Sequence, residues 1–111
     1  MHSDPSHVSD ADLGRALVKT LGQHHALLIP AHGQVVTAES VPAVLIDSVH
    51  FVENAEVMYR AASLGRPLPL SAAEIEAFLH DFDRDRHIAK LWKYYVGRGR
   101  ASGLLAQEWE L

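Results

Sequence analysis

Residues Pro30-Ala31-His32-Gly33 stand between two short apolar runs, Ala26-Leu27-Leu28-Ile29 and Gln34-Val35-Val36-Thr37, which places a single imidazole where the chain must reverse. Neutral histidine is a common metal ligand, and a ring held out on a tight bend keeps a nitrogen accessible. Position and composition alone favour a plain turn histidine over a ligand. His24 and His25 precede the first run and suggest a local cluster with His32, but the start of a strand and the apex of its hairpin lie at opposite ends of a ribbon. The remaining histidines, His2, His7, His50, His80 and His87, fall in polar tails or on helices without ligand spacing. Asp81-Phe82-Asp83-Arg84-Asp85-Arg86 lacks the glycine and ligand spacing of a calcium loop and reads as a solvated helix face carrying local ion pairs.

Composition narrows the classes. The chain has 111 residues, a length for one domain with one core. Its 48% hydrophobic and 22% charged content is that of a globular protein. A formal net charge of -4 with only 10 basic residues argues against a nucleic-acid-binding face. With no cysteine, disulfides and thiolate metal sites are excluded, so any metal must use His, Asp or Glu. No apolar run approaches the length of a membrane span, and the first residues carry neither a basic nor an apolar signal segment, so a cytoplasmic protein without membrane contact is expected.

Local signals place these residues on elements. Residues 1–8 read as a polar lead. A first helix is expected from an N-cap at Ser9, with Asp12 in its first turn, Val8 stapled on Leu13, an apolar stripe of Leu13, Ala16, Leu17 and Leu21, and a stop at Gly22. Ala26–Ile29 is too short for a helix and reads as a strand buried on both faces. It pairs with Gln34–Thr37 through a four-residue connection in an antiparallel hairpin. Ser40 caps a long helix with Pro42 in its first turn and apolar positions Val41, Val44, Leu45, Val49, Val52, Ala55, Met58 and Ala62, ending at Gly65. Ser71-Ala72-Ala73-Glu74 is a capping box opening a third helix along Ile75, Phe78, Leu79 and Phe82. The stripe Ile88, Leu91, Trp92, Tyr95 and Val96 has a different phase, which predicts a break between Asp81 and His87. Gly97, Gly99 and Gly103 loosen the chain into a tail over 99–111. The architecture is therefore α/β (α+β): helix, hairpin, long helix, then one or more C-terminal helices, with the domain spanning 9–98. A two-stranded ribbon with free edges is marginal alone, so oligomerisation is expected.

The order helix, Leu21-Gly22, strand Ala26–Ile29, His32-Gly33 turn, strand Gln34–Val36, then Ser40-Val41-Pro42-Ala43-Val44 leading to Phe51-Val52-Glu53-Asn54-Ala55-Glu56 resembles the C-terminal half of the class II aldolase/adducin family over about residues 10–82. That family includes fuculose-phosphate aldolase, ribulose-phosphate epimerase, decarboxylases and the non-enzymatic head of adducin. The resemblance implies an incomplete layered fold of that family, with His32 at the position of a ligand to zinc or another divalent metal. The metal acts there as a Lewis acid on a small carbonyl-containing substrate, in aldol cleavage or decarboxylation. It also implies cyclic homo-oligomers with sites at subunit boundaries, where Trp92, Tyr94 and Tyr95 either line a neighbour's pocket or simply pack.

The family's His-x-His ligand pair and acidic catalytic residue have no counterpart here, and one imidazole does not hold a catalytic zinc. The resemblance thus assigns no catalytic residue to this chain. It implies the C-terminal portion of a metal-dependent lyase, inactive alone, or else a non-catalytic adducin-like interaction module. Glu53 falls on the family's helix glutamate and reads as a buried or half-buried packing carboxylate near His50 or Arg60.

Overall fold

The computed structural model describes Asp4 and residues 6–109. The elements run α1 (Ala11–Leu21), β1 (Ala26–Ile29), β2 (Gly33–Val36), α2 (Val41–Leu64), α3 (Ala72–His80) and α4 (Arg84–Ala101). The chain is mostly helical α+β and divides into two compact units, Met1–Val44 and Leu45–Leu111, with the boundary in the first turn of α2. Of the expected polar lead, residues 1–3 and 5 lie outside the described residues, and so do residues 110 and 111 of the expected tail.

In the first unit the cap of α1 is Asp10, not Ser9. Its carboxylate accepts from the backbone N–H of Asp12 and Leu13, both at 2.9 Å. A carboxylate reaches two amides and also complements the positive helix end, which a serine hydroxyl does not. Val8 lies over Gly14: a Cβ added at Gly14 would lie 3.7 Å from Val8 Cγ1. Leu13, Leu17 and Leu21 form the half-buried face as expected, while Ala16 faces solvent. Gly22, at φ 56, closes the helix by donating to Val18 O.

β1 and β2 pair antiparallel in the register Ala26↔Val36, Leu27↔Val35, Leu28↔Gln34, Ile29↔Gly33. One further rung follows, Thr37 N–H to His25 O at 2.9 Å. The expectation of a strand buried on both faces fails. Leu27 and Ile29 are buried while Leu28 is 49% exposed, because a two-stranded ribbon covers only one of its faces here.

In the second unit, α2 continues for most of its 24 residues. Its start lies in the first unit, where Ser40 caps it, its Oγ accepting from Ala43 N–H at 3.2 Å, and where Ala43 is buried and Val41 exposed. Within the second unit Ile46 is its deeply buried position, whereas Val52 and Met58 from the expected apolar face are exposed. Apart from the polar row Asp47, His50 and Glu53, the first half of α2 carries apolar residues around most of its circumference, so periodicity does not single out its buried face.

α3 opens with the complete capping box: Glu74 N–H donates to Ser71 Oγ, and Ser71 N–H donates to Glu74 Oε2 at 2.8 Å. The helices part at Asp81–Asp83. Asp83 caps α4 by accepting from Arg86 N–H at 2.9 Å. The acidic and basic run is therefore a helix boundary rather than one solvated helix face. Along α4 the expected stripe holds, with Ile88 and Val96 buried and Leu91, Trp92 and Tyr95 half-buried.

The helix runs through Gly97 and Gly99 to Ala101 instead of loosening there. Gly103, at φ 69, ends it in a Schellman arrangement: its N–H donates to Arg100 O at 3.0 Å and Leu104 N–H donates to Gly99 O at 2.9 Å. The following residues fold back on the helix end. A Cβ at Gly99 would come within 2.6 Å of Leu105 Cδ1, and Arg100 donates to the Trp109 carbonyl.

These contacts separate two glycines of one helix. A Cβ at Gly97 meets nothing within 4 Å, so Gly97→Ala is expected to gain the full helix-propensity difference of about 1 kcal/mol. Gly99→Ala is expected to forfeit that gain by displacing Leu105, leaving its melting temperature below that of Gly97→Ala in thermal unfolding. The capping box carries its own signature. Hydrogen bonds from the Ser71 side chain and backbone hold the Glu74 carboxyl below its usual 4.5. A lowered folded-state value stabilises α3 above pH 4.5 and loses that contribution as pH falls through it. Carboxyl NMR titration should show Glu74 returning toward 4.5 in Ser71→Ala.

Candidate functional site

Two places gather groups able to do chemistry, one in each unit. In the first, Pro30 stands at the second position of a turn closed by His32 N–H donating to Ile29 O at 3.2 Å. Ala31 follows at φ 55, the left-handed third residue of a type II turn, and Gly33 enters β2 at φ 150. The connection is thus one residue shorter than expected, because Gly33 already pairs with Ile29.

His32 is fixed at the last position of this turn and is exposed. The His7 ring lies against it edge-on, with centroids 4.6 Å apart. His7 had no ligand spacing in the sequence, and its 25-residue separation from His32 left no local signal.

His24 and His25 sit at the open end of the ribbon, beside the Thr37–His25 rung, and so at the far end from the bend. The local three-histidine cluster is not formed. Among the described residues no group of three or more His, Asp or Glu side chains gathers as metal ligands. Zinc therefore lacks a complete ligand set among them.

In the second unit, side chains of α2 and α4 meet in a ladder. The Arg84 guanidinium grips Asp47 with two hydrogen bonds of 2.9 and 2.8 Å. One turn further along both helices, His50 Nε2 and His87 Nε2 are 2.9 Å apart. His50 Nδ1 faces Glu53 Oε2 at 3.2 Å, but the Glu53 side chain is 62% exposed, so it is a surface carboxylate beside His50 and not the buried or half-buried packing group expected, while Arg60 pairs with Glu56.

Glu53 as a carboxylate can only accept, so Nδ1 of His50 is the donor in this contact; in the neutral imidazole Nε2 then presents a lone pair toward His87. Phe82 covers the His87 ring, their centroids 5.2 Å apart. Asp47, His50 and Glu53 recur every third residue on α2, and Arg84 and His87 do so on α4. That spacing was visible in the sequence, but the 37-residue step joining the rows was not.

Tyr94 and Tyr95 meet edge-to-face with centroids 5.2 Å apart, and Arg98 lies over the Tyr94 ring. No helix among the described residues is long and apolar enough to cross a membrane.

The turn makes a direct stability statement. A residue with a Cβ in the left-handed region costs about 1–2 kcal/mol, so Ala31→Gly is expected to raise the melting temperature by the equivalent of up to about 1 kcal/mol after glycine's own entropic cost. Thermal unfolding followed by circular dichroism reads it.

Comparison with protein-family models, with curated proteins and with solved structures found no match.

Proposed function

We propose that this chain is the C-terminal portion of a class II aldolase-like, metal-dependent lyase, acting in aldol cleavage or decarboxylation of a small hydroxy- or keto-carbonyl substrate, and that it is inactive alone. His32 is its one contribution to a zinc or other divalent metal site whose remaining ligands come from sequence outside these residues or from another copy. The observation that carries the reading is the placement of His32: exposed at the end of a tight turn between two paired strands, with its backbone fixed by the Ile29 hydrogen bond and the Ala31 conformation.

A single imidazole supplies far less than the three protein ligands of a catalytic zinc, so the isolated chain should bind zinc weakly at this position. A homo-oligomer is the assembly in which such a site is completed.

A second reading has its own support. Ile75, Phe78 and Leu79 on α3 are 45%, 62% and 59% exposed, and β1 and β2 each have one edge unpaired among the described residues. These features suit an adducin-like interaction module that performs no chemistry.

Zinc titration with nitrogen-15 detection of the histidine rings separates the readings. On the enzyme reading, zinc perturbs His32, and adding a segment that carries the acidic residue and the His-x-His pair converts this into tight one-to-one binding lost in His32→Ala. Tight zinc uptake by that mixture that is indifferent to His32→Ala would overturn it. Self-association that ignores zinc, with no His32 response, would establish the module.

A further inference from the structure

We propose that His50 and His87 form a second, separate site for a divalent transition metal of the imidazole-seeking class, with zinc as its reference ion. In it a metal clips α2 to α4 and Glu53 orients one of the two ligands. The inference is independent of the reading of His32.

The geometry is close to that of a metal-bound pair. Two imidazoles on one tetrahedral zinc, at the usual nitrogen distance of about 2.0–2.1 Å, stand with their ligating nitrogens about 3.3 Å apart and their ring centres about 5 Å apart. Here the Nε2 atoms are 2.9 Å apart and the ring centroids 5.2 Å apart, with the ring planes 26° from parallel. The ring centres already have the required spacing. A tilt of each ring, parting the nitrogens by about 0.4 Å, converts a nitrogen–nitrogen hydrogen bond into two donors aimed at one point.

The hydrogen-bond pattern also fits. Metal-ligating histidines commonly donate their other ring N–H to a carboxylate, which fixes the tautomer and increases the basicity of the ligating nitrogen. Glu53 Oε2 occupies that position behind His50 at 3.2 Å. His87 becomes a ligand by carrying its proton on Nδ1, so the exchange of hydrogen bond for metal needs no net loss of a proton from the pair. The contact is part-buried, with 39% of the His50 side chain open to solvent, so the ligating edge is partly screened and water can fill the remaining positions.

The same surroundings set the strength. The carboxylate one turn before His50, Asp47, is engaged by both arms of Arg84 and is not offered as a third ligand. Two protein donors leave the other positions to water, in keeping with the absence of any three-ligand group among the described residues. The site therefore suits an exchangeable ion that tightens the contact between two helices, not a permanent structural or catalytic zinc. Because the ligands come from both helices, a bound ion stabilises the folded chain by mass action.

The test uses the full chain carrying His32→Ala, so that the bend cannot contribute, with zinc ion alone as the probe. Nitrogen-15 spectra that resolve each histidine are expected to show the Nε2 signals of His50 and His87 shifting together and saturably, with a zinc-dependent rise in melting temperature. His50→Gln should abolish both the response of His87 and the rise. Glu53→Gln, which keeps both ligands, should weaken zinc about 10-fold, and it decides the matter if the glutamine variant does not fold. Zinc shifts confined to other histidines, an unchanged His87 response in His50→Gln, or unaltered affinity in Glu53→Gln would overturn the proposal and leave the pair sharing only a proton.

Discussion

The antiparallel pairing of Ala26–Ile29 with Gly33–Val36 is the constraint on which the first unit depends. Once Ile29 pairs with Gly33, only Pro30, Ala31 and His32 remain to reverse the chain, and the turn must take a left-handed residue at its third position. Proline fixes the preceding φ, alanine accepts the strained conformation, and the histidine that follows has its backbone anchored to Ile29. The backbone of a residue placed this way is set by main-chain geometry, while its ring rests edge-on against His7. Strain of this kind persists only where the surrounding pairing over-determines it.

The second unit solves a different problem. Its helices bury few residues deeply, Ile46, Ile88 and Val96 among them, so polar contacts carry more of the specificity of their meeting than they would in a larger core. The Asp47–Arg84 pair is bidentate and partly screened from water, which puts it toward the upper end of the roughly 0.2–1 kcal/mol of surface ion pairs. The His50–His87 contact adds a rung whose strength depends on what lies between the two nitrogens. A proton and a metal ion are alternatives there, and they compete for the same lone pairs.

Much of this was legible in the residues. The hairpin, the Gly22 stop, the Ser40 cap, the Ser71–Glu74 box, the break after His80 and the half-buried stripe of α4 all follow from short-range chemistry, because each is decided within four or five positions. The errors have physical causes as well. Ser9 and Asp10 are both good caps, and the carboxylate prevailed. Gly97 and Gly99 looked like loosening residues, yet one is simply tolerated in a helix and the other makes room for Leu105. The buried face of α2 could not be chosen from a segment apolar around most of its circumference. His7 beside His32, and His50 beside His87, are products of tertiary structure, and no local pattern announces contacts across 25 or 37 positions.

The α2–α4 ladder makes both rows sensitive to phase. Asp47 to Arg84 and His50 to His87 span the same number of residues and run in the same direction, so the rungs are locked to each other by helix pitch alone. A residue inserted or deleted between Asp47 and His50, or between Arg84 and His87, turns one partner by about 100° and uncouples the rungs. A change of length in Gly65–Leu70, outside any helix, alters neither row's phase. Natural variants of this chain should therefore differ in length in that connection while keeping both three-residue intervals.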